Sequence, residues 1–197
     1  MEFHDIVIQQ KSYFDSNSTK SIAFRKIMLK KLMDALDERE DLLLEALHKD
    51  LGKSRGEGYM TEVGMVRSEI KEALINVEAW NHPKKADGSF LTFFPATNHI
   101  YTEPYGVVLI IAPWNYPLNL TLMPLVGAIA AGNCAIVKCS PESVHTSRAI
   151  KDLLADLFPP EYIYCPEADL PFETLWQERY DMIFFTGSPA AGRIFMK

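Results

Sequence analysis

The sequence predicts an α/β protein in which amphipathic helices precede a mostly parallel, doubly wound sheet. Three observations carry that expectation. The first part of the chain places apolar residues at helical spacing. From Gly106 onward, short continuous apolar runs alternate with helical segments, as expected of strands buried on both faces. The chain has 197 residues, 48% of them apolar, and a chain of that length buries roughly 70% of its unfolded surface, so it can hold a real core.

The first helix is predicted from Ser18 to Leu36, with Ile22, Leu29, Met33 and Leu36 on one face and Ser18 or Thr19 as its cap. Glu38 to Leu51 follows, acidic at its start and closed by Gly52. Val63, Val66, Ile70, Ala73, Val77 and Trp80 alternate by three and four, which predicts an amphipathic helix stopped at Asn81-His82-Pro83. Pro83 to Asn98 reads as a connector, and His99 to Glu103 as a short strand. Val107 to Ile111 is the first buried strand. A helix is expected from Pro117 to Ala131, with Pro117 in its first turn and Gly132-Asn133 at its end. Then come a strand at Ala135–Val137, a helix at Ser143–Phe158, a strand at Tyr162–Tyr164, a helix at Phe172–Glu178, a strand at Met182–Phe185 and a helix opening at Gly187.

Charge and cysteine usage exclude several roles. Twenty basic against 26 acidic residues give a net charge of −6. A nucleic-acid binder normally carries a basic patch, so no nucleic-acid partner is expected. The longest apolar stretch, near Leu118–Ala131, is shorter than the ~20 residues a membrane span needs. Met1 to Asp5 lacks a basic and apolar leader pattern. Three cysteines, Cys134, Cys139 and Cys165, do not make a disulfide framework, and they point to a reducing, cytoplasmic compartment. The five histidines are scattered without zinc-ligand spacing, so no metal is expected.

In a doubly wound sheet, ligands bind beyond the carboxyl ends of the strands. Three turns fall there: Ala112–Asn115, Lys138–Glu142 and Thr186–Gly192. The first lacks the G-x-G-x-x-G dinucleotide fingerprint and instead sets Asn115 between Pro113 and Pro117. An Asn on a rigid turn can donate to a developing oxyanion, or it can serve as an Asx-type cap. Lys138 can donate to ribose or phosphate oxygens, or stand in solvent at a strand end. Glu142 can accept from ribose hydroxyls, or favour the start of the next helix. Gly187, Ser188 and Gly192 open a helix after a strand, a place that suits phosphate, although Arg193-Ile194 replaces the Lys and Ser/Thr of a P-loop. An ordinary strand-to-helix turn is the alternative.

Taken together, these turns resemble the aldehyde dehydrogenase superfamily. Glu103-Pro104-Tyr105-Gly106-Val107-Val108 leading to Pro113-Trp114-Asn115-Tyr116-Pro117 resembles its N-terminal motif. Gly127 to Asn133 resembles the helix end that follows, and Phe185-Thr186-Gly187-Ser188 with Gly192 resembles its coenzyme turn. Ala46 to Lys53, Glu62 and Trp80 resemble its class 3-like branch.

By this resemblance residues 1–98 form a helical segment packed on a coenzyme domain, 99–105 an oligomerisation strand, and 106–197 most of a Rossmann-like NAD(P)-binding region. Asn115 would be the oxyanion-hole amide. Ile111, Ala112, Pro113 and Trp114 would line the coenzyme cleft. Lys138 would bind the adenosine ribose, with Glu142 beside it, and Gly187, Ser188 and Gly192 would approach the pyrophosphate.

The implied reaction oxidises an aldehyde to a carboxylic acid with NAD or NADP, through a Cys nucleophile and a Glu-activated water. The implied assembly is a homo-oligomer, a dimer for this branch. The chain departs from the pattern at Pro141, where the family has the ribose Glu, and at Cys139, where it has Pro. Family enzymes are much longer, and none of the three cysteines matches the nucleophile position. This polypeptide alone is therefore expected to be inactive. The alternative is a non-catalytic nucleotide-binding or oligomerisation module derived from that family.

Overall fold

A computed structural model describes residues 2–88 and 94–195. The N-terminal part holds α1 (Phe3–Asp15), α2 (Ile22–Glu38), α3 (Glu40–Leu51), the single turn α4 (Arg55–Gly58), a π-helical turn (Tyr59–Val63) and α5 (Gly64–Asn81). Two short strands, β1 (Lys84–Ala86) and β2 (Asn98–Ile100), pair antiparallel. The sheet half then runs β3 (Val107–Ile111), α6 (Asn119–Ala131), β4 (Cys134–Lys138), α7 (Val144–Leu157), β5 (Ile163–Tyr164), α8 (Phe172–Trp176), β6 (Met182–Phe185) and α9 (Pro189–Phe195). Its four strands are parallel in the order β5-β4-β3-β6. This is the α/β, helix-then-parallel-sheet architecture the sequence predicts.

Every residue of β3 and β4 is buried, which is why both read as unbroken apolar runs and not as alternating ones. Val107 to Ile111 align with Cys134 to Lys138 on one side, and Val108 to Ile111 with Met182 to Phe185 on the other. The buried cluster continues from these strands into α2, α3, α5, α6 and α7, so the helical segment and the sheet share one core.

The structure corrects several expectations. Helix α1 was not anticipated, although Phe3, Ile6, Val7, Gln10, Tyr13 and Phe14 carry the spacing. Gln10 interrupts the stripe. It is buried because its amide donates to the carbonyls of Ala135 and Pro160, each at 3.0 Å. Helix α2 starts at Ile22, four residues later than Ser18, and neither Ser18 nor Thr19 caps it. The carbonyls of Thr19 and Lys20 instead accept from Arg25, which holds that segment out of the helix. Trp80, expected on the buried stripe of α5, is 48% exposed, while Val63, Val66, Ile70, Ala73 and Val77 are buried. The expected connector contains β1, and β2 pairs with it; residues 89–93 of that connector lie outside the described residues. Pro117 precedes α6 and does not occupy its first turn.

The helix stops were legible. Gly52 and Gly132 adopt positive φ, 66° and 90°, at the ends of α3 and α6, as left-handed C′ residues do. Gly132 is doubly required, because a Cβ there would meet Arg25 Nε at 2.8 Å.

Arg25 is buried, and among the described residues it has no carboxylate partner. Its guanidinium donates to the carbonyls of Thr19 (3.3 Å), Lys20 (2.8 Å) and Ala130 (3.2 Å), and to Asn81 Oδ1 (3.1 Å). It therefore ties the start of α2 to the ends of α5 and α6, where helix carbonyls lack partners and carry partial negative charge. Tyr162 is the opposite case. Its ring packs against Tyr13, Phe24 and Phe158, burial pushes its phenol upward, and its hydroxyl has no partner among the described residues.

These two residues predict opposite effects. Arg25→Ala orphans several buried acceptors and should lower the stability of the chain by about 3 kcal/mol in urea titration. Tyr162→Phe removes an unsatisfied buried hydroxyl without opening a cavity and should raise stability by up to about 1 kcal/mol in the same titration.

Candidate functional site at the carboxyl edge of the sheet

Chain order makes the site. From β3 the chain steps to β4 and then β5 on one side, and β6 returns to the other side of β3. The direction of winding reverses between β3 and β6, and in open sheets a crevice opens beyond the carboxyl ends at such a switch point. The three predicted turns leave from one row of the sheet. Ile111 aligns with Lys138 and with Phe185, Ala112 N donates to Lys138 O at 3.1 Å, and Thr186 N donates to Ile111 O at 3.0 Å. Ile111, Ala112, Lys138 and the turn at Gly187 are thus brought to a common edge.

The turn after β3 climbs from core to surface and back. Ile111 and Ala112 are buried, Pro113 is half-buried, and Trp114 is 51% exposed. Asn115 is exposed, and Pro117 and Leu118 are buried again. The Asx-cap reading of Asn115 is not realised: the residue flanking α6 is Leu118, and the Asn115 side chain has no hydrogen-bond partner among the described residues.

Beneath this turn lies a buried charge pair that sequence reasoning left without a role. Glu62 has 0% exposure. One of its carboxylate oxygens accepts from Lys53 Nζ. The other accepts from the amides of Leu118 (3.0 Å) and Asn119 (2.9 Å) at the start of α6. Burial pushes the Glu62 carboxyl above its ordinary range, against the opposing pull of Lys53 and the two amides. Lys53 Nζ also donates to Asn115 O at 3.3 Å and lies 4.0 Å from the centre of the Tyr116 ring. The available signal was Glu62 itself, an acidic residue adjoining the apolar stripe that opens at Val63.

Lys138 is 1% exposed, so the reading of a solvated strand-end lysine is overturned. Its ammonium donates to the carbonyls of Ala168 and Cys139 (3.4 Å to the latter) and lies 5.3 Å from the centre of the Phe172 ring. Burial lowers its affinity for the proton. The two carbonyls account for two of the three N–H donors of an ammonium. Glu142 is exposed, and its N–H donates to Ser140 Oγ at 3.3 Å.

All three cysteines are buried. Burial pushes the Cys134 thiol up to about 12. A hydrogen bond shared with Cys139, 3.8 Å away, together with burial holds Cys165 well above the ordinary thiol range. None offers an accessible thiolate.

The turn after β6 is short. Gly187 and Ser188 are exposed and Gly192 is half-buried. A Cβ at Gly187 would sit 2.5 Å from the end of the Phe185 ring, so a larger residue there requires that ring to move. Helix α9 begins at Pro189, and the Ser188 hydroxyl accepts from Ala191 N at 3.2 Å. The exposed turns after β3 and β6 and the exposed Glu142 carboxylate suit a ligand rich in hydroxyl and anionic oxygens, as a dinucleotide is, whereas the Lys138 ammonium is covered by two carbonyls. Among the described residues no group of three His, Cys, Asp or Glu gathers to hold a metal, and no helix is long and apolar enough to cross a membrane.

Comparison with known proteins places this arrangement. The family model described as "Aldehyde dehydrogenase family" matches residues 2–197. The chain is 44% identical over 185 residues to the 4,4'-diaponeurosporen-aldehyde dehydrogenase of Staphylococcus aureus, covering 93% of this chain and 40% of that protein. It is 40% identical over 198 residues to human aldehyde dehydrogenase family 3 member B1, covering 98% of this chain and 41% of that one.

Among solved structures, the substrate-bound state of Staphylococcus aureus AldH superposes with a TM-score of 0.94 at 41% identity, over 100% of this chain and 43% of that one. A glyceraldehyde-3-phosphate dehydrogenase GapN from Methanocaldococcus jannaschii, complexed with NADP, shares the fold at a TM-score of 0.79 and 21% identity, over 98% of this chain and 42% of that one. The chain thus spans about two fifths of the length of the curated relatives it matches. On the family match and these relatives, the chain belongs to the aldehyde dehydrogenase family, within its family 3 branch.

Proposed function

We propose that this chain forms the coenzyme-facing part of an NAD(P)-dependent aldehyde dehydrogenase that oxidises aldehydes to carboxylic acids. The observation that carries the reading is the exposed Asn115, held on a clamped turn at the switch point of the sheet. The Asn115 amide donates to the oxygen of the reacting carbonyl as negative charge develops on it. Such a donor, held in place beforehand, needs no reorganisation during the reaction.

Ile111, Ala112, Pro113 and Trp114 form the wall on which the coenzyme rests. The adenosine ribose lies at the end of β4, beside Lys138 and the exposed Glu142. Gly187, Ser188 and Gly192 face the phosphates. When bound, NAD or NADP supplies the hydride acceptor. The family membership and the NADP complex of the structurally similar GapN support this assignment.

Residues 1–98 serve as the helical support, 106–197 as the coenzyme region, and 99–105 as the strand through which two copies associate. Exposed Ile100 at the end of β2 and Tyr101 just after it favour that last role. The protein is expected to work in the cytoplasm on a small-molecule aldehyde. A non-catalytic nucleotide-binding module has no use for an oxyanion donor, and Asn115 therefore favours the enzyme.

Two measurements test this function. In the complete gene product, Asn115→Ala should lower kcat by roughly a hundredfold to a thousandfold, with the KM for coenzyme little changed. Equal kcat in the variant would remove Asn115 from the chemistry. The 197-residue polypeptide by itself should show no aldehyde-dependent NAD(P)H formation, because its three thiols are buried. Steady absorbance growth at 340 nm would overturn that.

A further inference from the structure

We infer that Lys53 and Glu62 are positioning residues for the oxyanion donor, and that this buried pair sets where the turn 112–118 presents Asn115. The inference rests on the proposed role of Asn115.

Besides its own bonds into α6, where Leu120 N donates to Tyr116 O at 2.9 Å, the turn has three attachments among the described residues. At its start, Ala112 N donates to Lys138 O at 3.1 Å. At its end, Glu62 accepts the amides of Leu118 and Asn119, two of the donors a helix N-terminus leaves unpaired. Between them, Lys53 donates to the carbonyl of Asn115 itself and lies over the Tyr116 ring. The two prolines stiffen the turn internally, but stiffness alone does not place a rigid body. Lys53 and Glu62 supply the placement.

Lys53 is itself fixed. It follows Gly52, the left-handed residue ending α3, and precedes Ser54, whose hydroxyl accepts Glu57 N at 3.2 Å to cap α4. Its carbonyl contacts His48 Nδ1 at 3.0 Å. The ammonium therefore projects from a short segment held between two helix ends.

Stability does not explain the pair. Burying two charges costs about as much as their attraction returns, and an apolar pair of the same volume often serves the fold as well. A charge pair does something an apolar pair cannot: it reaches one carbonyl and two amides of a single turn with directional hydrogen bonds.

The test uses the complete gene product and steady-state kinetics with aldehyde and NAD(P)⁺. Lys53→Met should lower kcat by up to about a hundredfold, since a displacement near 1 Å in a reacting site has effects of that size. The KM for coenzyme should change little. In an Asn115→Ala background the same substitution should have almost no further effect on kcat, because a residue that acts through Asn115 has nothing left to position. A purely structural role predicts the same added loss in both backgrounds, and that result would overturn the inference.

The double variant Lys53→Met/Glu62→Gln leaves no unpaired buried charge. It should melt near the parent temperature while kcat stays low. Parent-like kcat in that folded variant, or its failure to fold, would assign the pair to the fold and defeat the positioning role. An inactive parent protein, or an Asn115→Ala variant as active as the parent, would defeat the dehydrogenase reading and this inference with it. An active parent that is sensitive to Asn115→Ala and indifferent to the double variant would defeat this inference alone.

Discussion

A carboxylate without solvent exposure is tolerable only when donors replace its lost water, and for Glu62 three donors come from two distant places in the chain. Lys53 arrives from the loop after α3, and the amides of Leu118 and Asn119 from the start of α6. The charge on Glu62 is therefore satisfied only when the helical segment is docked on the sheet half. Leaving it unpartnered in the interior would cost several kcal/mol. The same atoms that permit the burial also occupy the first free amides at the beginning of α6. Helix, turn and sheet edge follow from that one junction.

The other buried cations obey the same logic with different acceptors. Arg25 and Lys138 both draw on main-chain carbonyls, Arg25 at the ends of helices and Lys138 in the loops beyond β4. Such carbonyls lie outside regular ladders and need donors. Long basic side chains thus close gaps where secondary structure stops. The loops at the carboxyl edge are held from below by these hydrogen bonds, while Trp114, Asn115, Gly187 and Ser188 stay open to solvent. That division suits the coenzyme-binding edge proposed above.

Much of this was legible in the residues. The strands Val107–Ile111 and Met182–Phe185 were read at their observed limits, and the stops at Gly52, Asn81 and Gly132 were read from their own chemistry. The misses share a cause. The start of α2 slipped from Ser18 to Ile22 because Arg25 takes the carbonyls of Thr19 and Lys20. Trp80 continued the helical period but is 48% exposed, although Asn81 beside it is held by Arg25. Lys138 looked like a solvated strand end, yet the loop at Ala168 folds over it.

The sequence by itself determined the α/β class, the order of elements and the three turns that gather at the carboxyl edge. Apolar periodicity, glycine stops and proline restraints act within a few residues, so they can be read without knowing what lies opposite. The tertiary structure alone decided that Asn115 stands on a turn held by Lys53 and Glu62, that Lys138 is buried, and that all three thiols are closed off. Those outcomes depend on hydrogen bonds and packing between segments as far apart as Glu62 and Leu118, which no local pattern encodes.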